Sequence, residues 1–386
     1  MTGKRNWDIF CTVVDNYGDI GVGWRLARQL AAELDLRVRL WVDDLARFAR
    51  INPGIDPNMP LQSSRGVEVH QWHTPFAHAD LALGVADVVV EAFACELPES
   101  YLLAMAQRLP SPVWINLEYL SAENWVHGCH GLPSPHPHLP LIKYFFFPGF
   151  DSGTGGLLAE HGLRERLRAF QAGRDLQAAF WREIGLAEPR PEALRVSLFA
   201  YENHAIPGLL DAWVQSRDEV LCLIPEGQAA GLACAHLGSA DSRAGAAAAR
   251  GNLKMHVLPF AEQDRYDELL SLCDCNFVRG EDSFVRAQWA ARPFVWQVYP
   301  QDEGAHWRKL SAFLDLYCNG LERGASIAVR AFWEAWNNEV GAGQAWPGFW
   351  RKRHVLEAHA ACWAERMAAH GDLAHALVDF CNDRLK

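Results

Sequence analysis

The feature that most constrains this chain is an alternation of short, continuously apolar runs with segments of helical periodicity, arranged in two separate series. Apolar runs that alternate with helical patterns read as strands buried on both faces, and such strands belong to parallel sheets covered by helices on each side. In the first series the strands fall at Asp8–Val14, Arg37–Val42, Val67–His70, Asp87–Glu91 and Pro112–Asn116, with helices at Trp24–Leu34 and Ser100–Gln107. The second starts at Leu194–Phe199 and continues through Val220–Ile224, Lys254–Leu258, Cys275–Val278 and Phe294–Gln297. A chain of 386 residues, 50% of them hydrophobic, has the apolar mass for two cores. The expected fold class is therefore α/β, with two doubly wound, Rossmann-like domains.

The breaks between the series set the expected boundaries. Residues 1–160 form the N-terminal domain and residues 191–363 the C-terminal one. Between them, 161–190 is a helical junction around a helix over Glu160–Ile184, closed by Pro189-Arg190-Pro191. Residues 364–386 are expected to form a helix that packs back on the first domain. Phe145-Phe146-Phe147-Pro148-Gly149-Phe150 and Gly153-Thr154-Gly155-Gly156 read as a loop-rich stretch, and Ala246–Ala249 as helix or loop.

Open α/β sheets bind ligands outside the carboxyl ends of their strands, which draws attention to two strand-to-helix turns. The first, Asp15-Asn16-Tyr17-Gly18-Asp19-Ile20-Gly21, carries two carboxylates and two glycines, but lacks the G-x-G-x-x-G spacing of a dinucleotide fingerprint. The second runs through Val278-Arg279-Gly280-Glu281-Asp282-Ser283-Phe284. Asp282 and Ser283 are both N-cap types, and the free N–H groups of a helix start, its dipole and Arg279 together suit a phosphate. Each turn also has a plain reading as a capped helix start with surface charges.

Composition narrows the function. The net charge of −11 and the lack of a basic run exclude phosphate-backbone nucleic-acid binding as the main task. No apolar run reaches the length of about 18 residues that a membrane span requires, and Met1-Thr2-Gly3-Lys4-Arg5 does not lead into a signal-peptide core. The expectation is a soluble, cytoplasmic protein. The ten cysteines are scattered, and Cys11, Cys222 and Cys381 fall in apolar strand or helix patterns, as expected of reduced, buried thiols. Cys273-x-Cys275 has no second pair at zinc spacing, and His127, His130, His136 and His138 in a proline-rich loop match no zinc pattern, so no metal is expected. Trp333, Trp336, Trp346 and Trp350 read as packing anchors on C-terminal helices.

Longer strings then become specific. Asp15-Asn16-Tyr17-Gly18-Asp19-Ile20-Gly21-Val22, Asn116-Leu117-Glu118-Tyr119-Leu120, Phe199-Ala200-Tyr201-Glu202, Arg279 to Trp289, Pro293 to Gln301 and the closing Asp383-Arg384-Leu385-Lys386 resemble the EarP family of elongation factor P arginine rhamnosyltransferases over nearly the whole chain. Two departures are Gly23, where a larger residue is expected, and Ala291-Arg292, where Gly-Lys is more usual.

The resemblance implies a GT-B glycosyltransferase fold, its two Rossmann-like domains facing a central cleft, and an inverting transfer of rhamnose from dTDP-β-L-rhamnose to an arginine of elongation factor P. The modified factor would act on ribosomes stalled at consecutive prolines. Asp19 is then the base, with Asp15 beside it and Glu281 essential, while Tyr17, Gly18, Ile20 and Gly21 complete the acceptor-side turn. Arg279, Gly280, Glu281, Asp282 and Ser283 hold the donor diphosphate. Phe199, Tyr201, Phe260, Tyr266 and Tyr299 surround the nucleotide, and Gln263, on a loop, pairs with the base edge. No metal or other cofactor is implied, nor any nucleic-acid or membrane partner. A glycosyltransferase with a small-molecule acceptor and a non-catalytic nucleotide-binding protein remain as alternatives.

Overall fold

The computed structural model describes residues 4–14, 17–73, 76 and 81–385. The chain divides into two compact units, one running to His161 and resuming at Met367, the other spanning Gly162–Arg366.

In the first unit β1 (Asn6–Cys11), α1 (Gly18–Glu33), β2 (Arg37–Val42), α2 (Leu45–Ile51), β3 (Leu61–Ser64), β4 (Val67–Gln71), β5 (Val88–Ala92), α3 (Glu99–Gln107), β6 (Val113–Leu117), β7 (Pro133–Pro135) and β8 (Ile142–Phe146) follow one another. The sheet order is β3-β4-β2-β1-β5-β6-β8-β7. All pairings are parallel except those of the edge strands β3 and β7. The central strands read as unbroken apolar runs because both faces are covered: β5 and β6 are buried along their whole length. Phe10, Trp41, Trp72, Tyr101 and Trp114 pack one core together. The C-terminal helix Leu373–Asn382 belongs to this unit. Leu373 N–H donates to Leu157 O at 3.1 Å, and the Gln29 amide of α1 donates to Asp372 Oδ1 at 3.1 Å.

The second unit opens with α4 (Leu163–Ala172) and α5 (Arg174–Glu183). It continues through β9 (Leu194–Leu198), α6 (Ile206–Val214), β10 (Val220–Pro225), α7 (Gln228–His236), β11 (Ala247–Arg250), β12 (Leu253–Leu258), α8 (Gln263–Leu272), β13 (Cys275–Arg279), α9 (Asp282–Trp289) and β14 (Phe294–Gln297). Helices α10 (Ala305–Tyr317), α11 (Arg323–Asn337), α12 (Ala342–Trp350) and α13 (Arg353–Ala368) follow. The order is β11-β12-β10-β9-β13-β14, parallel but for β11. Trp213, Trp333 and Trp336 are fully buried, and Trp346 packs on Phe277, Phe332 and Trp213.

Five local readings are corrected. Helix α1 begins at Gly18 rather than after the glycines, because Gly21 N–H reaches Tyr17 O at 2.9 Å and the first turn closes there. The helix expected over 160–184 is two helices that meet at Gly173. Phe145 and Phe146 lie in β8, where they pair with Asn116 and Leu117, while Phe147 to Phe150 and Gly153 to Gly156 are turn and loop as expected. The alanine run forms β11, since pairing with β12 overrides alanine's helical preference. The segment 161–190, expected as a junction, holds α4 and α5 of the second unit.

In each sheet the strand order reverses beside the first strand of its unit. Strand β1 has β2 on one side and β5 on the other; β9 has β10 and β13. Crevices at the carboxyl ends of such switch points are where open α/β sheets take ligands.

Candidate functional site

In the second unit the switch point is built by the residues that leave β9 and β13. Phe199 and Tyr201 follow β9, and Arg279 ends β13. The Arg279 guanidinium lies over both rings, 4.5 Å from the centroid of Phe199 and 4.4 Å from that of Tyr201. Phe260 and Tyr266 meet Phe199 edge-on, at 6.1 and 5.7 Å, and Tyr299 meets Tyr201 at 5.5 Å. The two rings expected around the nucleotide thus hold the arginine flat and in place. A guanidinium suits this role because it is planar and weakly hydrated. Tyr201 is fixed in turn by its own N–H, which donates to Gln297 Oε1 at 2.9 Å.

The turn itself needs glycine: Gly280 has φ 65°, and its carbonyl accepts from the Trp296 indole at 2.9 Å. Glu281 takes the cap position of α9 without a side-chain cap bond, so Asp282 and Ser283 are not the caps but the first helical residues. The Ser283 hydroxyl turns back to Arg279 O. Gln263 is the first residue of α8, not a loop residue, and is buried; its amide donates to Asp282 Oδ2 at 2.9 Å. Burial, and then the Asp282 charge, push the Tyr266 hydroxyl far up, so it stays a neutral phenol.

Two supports were missed in the sequence. The Lys309 ammonium of α10 donates to Glu281 Oε1 at 2.7 Å, with both side chains mostly buried, and it lies above the Trp296 ring. Beneath α9, Arg286 is clamped two-pronged by Asp267 of α8 at 2.6 and 2.9 Å, with both side chains 1% exposed. This pair ties α8 to α9 and so aligns Gln263 with Asp282. Arg286 and its partner are 19 residues apart and Lys309 and its partner 28, so neither pair carries a local signal.

In the first unit the switch point lies where β1 gives way to α1. Asp19, in the first turn of α1, is only 2% exposed. Its Oδ2 accepts from Val14 N–H at 2.9 Å and its Oδ1 from the Tyr119 hydroxyl at 3.2 Å. A carboxylate near a helix N-terminus is also favoured by the dipole. Tyr17 is the N-cap residue of α1, Gly18 opens the helix, and Gly21 closes its first turn. Ile20 is fully buried and packs into the core rather than lining the turn. Asp15 lies outside the described residues. Below the turn, burial and the Asp19 charge raise the Cys11 thiol well above its ordinary range, so it remains a neutral core group.

The histidine loop is structural. His130 Nδ1 accepts from Phe147 N–H at 3.0 Å, His136 Nδ1 from Leu139 N–H at 3.1 Å, and His127 pairs with Asp151. Among the described residues no cluster of three or more histidine, cysteine, aspartate or glutamate side chains is arranged to hold a metal, and no helix is long and apolar enough to cross a membrane.

Two Rossmann-like units, one with an arginine and a helix start at its switch point and the other with a buried carboxylate, define a glycosyltransferase of the GT-B fold. The profile of the family described as Elongation-Factor P (EF-P) rhamnosyltransferase EarP matches residues 7–382. The chain belongs to that family. It is 50% identical over 382 residues to the protein-arginine rhamnosyltransferase of Pseudomonas putida, covering 99% of this chain and all of the relative. The enzyme of the same name from Pseudomonas aeruginosa is 50% identical over 380 residues, 98% of this chain and 100% of the relative. A solved structure described as the structural basis for EarP-mediated arginine glycosylation of translation elongation factor EF-P superposes with a TM-score of 0.70 at 37% identity, covering 98% of this chain and 99% of that one. A UDP-GlcNAc 2-epimerase from Neisseria meningitidis, at TM-score 0.53 and 8% identity over 98% of this chain and 99% of the other, shares the fold alone.

Proposed function

We propose that this chain moves rhamnose from dTDP-β-L-rhamnose to the side chain of an arginine of elongation factor P, with inversion at the anomeric carbon. The observation that carries this reading is the pairing of roles at the two switch points: an anion-type turn around Arg279 and a buried, doubly hydrogen-bonded carboxylate at Asp19. The arginine rhamnosylation named for the relatives, and the elongation factor EF-P acceptor of the solved EarP structure, support rhamnose as the sugar and that factor as the acceptor.

In this mechanism Arg279 and the N–H groups at the start of α9 bind the diphosphate and stabilise the charge that grows on it as the bond from the anomeric carbon to the phosphate oxygen breaks. Glu281, held by Lys309, engages the donor beside them. The new bond joins the anomeric carbon to a guanidinium nitrogen, dTDP departs, and the proton released from that nitrogen passes to the Asp19 carboxylate. A guanidinium has a pKa above about 12 and is not nucleophilic while its charge is delocalised. Asp19 therefore orients one nitrogen and accepts its proton as the bond forms, rather than deprotonating it beforehand. With arginine and the helix start neutralising the phosphates, the reaction takes place without a divalent metal, in the cytoplasm where the acceptor works.

Intact-mass analysis of elongation factor P incubated with this protein and dTDP-rhamnose tests the reading. The expected result is one added deoxyhexose, located to a single arginine after proteolysis, α-linked by NMR, and undiminished by EDTA. An unmodified acceptor, or equal labelling of free arginine, overturns it.

A further inference from the structure

The run Asn116-Leu117-Glu118-Tyr119-Leu120 ends β6, beside the end of β5, and β5 leads into an unusual loop. Phe93, Ala94 and Glu96 all have left-handed backbones, with φ of 58°, 52° and 56°. None is glycine, and strain of this kind persists only where the surroundings impose it, most often at functional sites.

The surroundings impose it here. Phe93 N–H donates to Leu117 O at 2.7 Å, Ala94 N–H to Asn116 Oδ1 at 3.2 Å, and Glu96 N–H to Glu91 Oε1 at 3.2 Å. Asn116 and Glu91 are themselves buried, and the other Glu91 oxygen accepts from Trp114 Nε1 at 3.1 Å and Lys143 Nζ at 3.2 Å. The strained loop lays the Phe93 ring against Tyr119, with centroids 4.5 Å apart and planes 20° from parallel. The Tyr119 hydroxyl in turn donates to Asp19 Oδ1. The ends of β1, β5 and β6 therefore converge on one carboxylate.

We infer that Tyr119, clamped by Phe93, is a positioning residue that sets the orientation of the Asp19 carboxylate toward the acceptor guanidinium. This rests on the reading of Asp19 as the base. With Val14 N–H on one oxygen and the Tyr119 hydroxyl on the other, the carboxylate plane is fixed before the acceptor arrives. Displacing a reacting group by about 1 Å costs up to about a hundredfold in rate, so the clamp acts on turnover and not on binding.

Steady-state transfer to elongation factor P tests this. Tyr119→Phe keeps the ring stack and loses only the hydroxyl; its kcat is expected to fall about tenfold, with KM for donor and acceptor changed by less than about twofold. Phe93→Ala is expected to lose as much, and Phe93→Tyr, which keeps a ring on Tyr119, to recover most of it. The double variant Phe93→Ala/Tyr119→Phe is expected to be no slower than Tyr119→Phe alone, because both changes remove the same hydrogen bond. Wild-type kcat in Tyr119→Phe, or losses that multiply in the double variant, overturn the inference while leaving Asp19 as the base. Absence of transfer by the wild-type protein overturns the underlying reading as well.

Discussion

Replacing Arg279 by alanine separates the two things this side chain does. Its guanidinium rests on Phe199 and Tyr201 at 4.5 and 4.4 Å, contacts internal to the protein that hold the arginine in one orientation. In the proposed function it also makes a charge-assisted contact to phosphate, which exists only with nucleotide bound. Loss of such a contact costs about 1.5–3 kcal/mol, which lowers dTDP affinity by about tenfold to a hundredfold. Arg279→Lys keeps the charge but neither the flat stack nor the fork, so it falls between. Phe199→Ala leaves the charge and removes one face of the clamp, at a cost of about 0.5–2 kcal/mol. Calorimetric titration with dTDP, set beside titration with thymidine, reads the difference. Thymidine lacks the diphosphate, and its affinity should be unchanged in Arg279→Ala. The assignment is refuted if dTDP binds that variant as tightly as the wild type, or if thymidine weakens as much as dTDP, which would put Arg279 on the base.

Asp19→Asn should lower transfer by at least about a hundredfold while dTDP affinity, measured by calorimetry, stays within experimental error. Lys309→Met leaves Glu281 without the ammonium 2.7 Å away; turnover should drop about tenfold, and an unchanged rate would show that the pair does not hold Glu281 for the reaction. Arg286→Ala removes the two-pronged partner of the buried Asp267 carboxylate while the longer Arg166 contact, at 3.6 Å, remains; the cost in urea unfolding should therefore fall below the about 3–5 kcal/mol of a buried charge left uncompensated, with weaker dTDP binding because α9 loses its alignment. Ala291 has φ 53°, a left-handed backbone that favours glycine, just beyond the end of α9. Ala291→Gly should therefore raise stability by about 1 kcal/mol, read from the same unfolding curves.

Much of the fold is legible because burial on both faces of a parallel strand writes itself into consecutive residues. Arg37–Val42 and Phe294–Gln297 are strands at the expected bounds, and the other expected central strands differ from theirs mainly at the ends. Where the reading failed, the deciding force was not local. β11 is a strand only because β12 offers it an edge, and α1 reaches back to Gly18 because Tyr17 supplies a carbonyl to Gly21. Gly18 and Gly21 look like turn residues by propensity; packed beneath a sheet end, they serve as the first turn of a helix.

The two switch points differ in how much of them a sequence can disclose. The second unit's site is assembled from residues close together along the chain, Arg279 to Ser283, and from aromatics that leave β9, so its chemistry appears as a motif. The first unit's carboxylate gets its orientation from Tyr119, a hundred residues away, through a hydrogen bond at 3.2 Å. Tyr119 in turn leans on a loop whose left-handed residues are a phenylalanine, an alanine and a glutamate. No propensity scale flags such residues for φ > 0, since glycine and asparagine are the usual occupants. The strain becomes visible only once Glu91 and Asn116 are seen buried beneath the loop, accepting its N–H groups. A phosphate can be bound by backbone N–H groups and one cation, which a short segment supplies. Aiming a carboxylate at one nitrogen of a guanidinium takes supports from several strands, and those come together only when the sheet has formed.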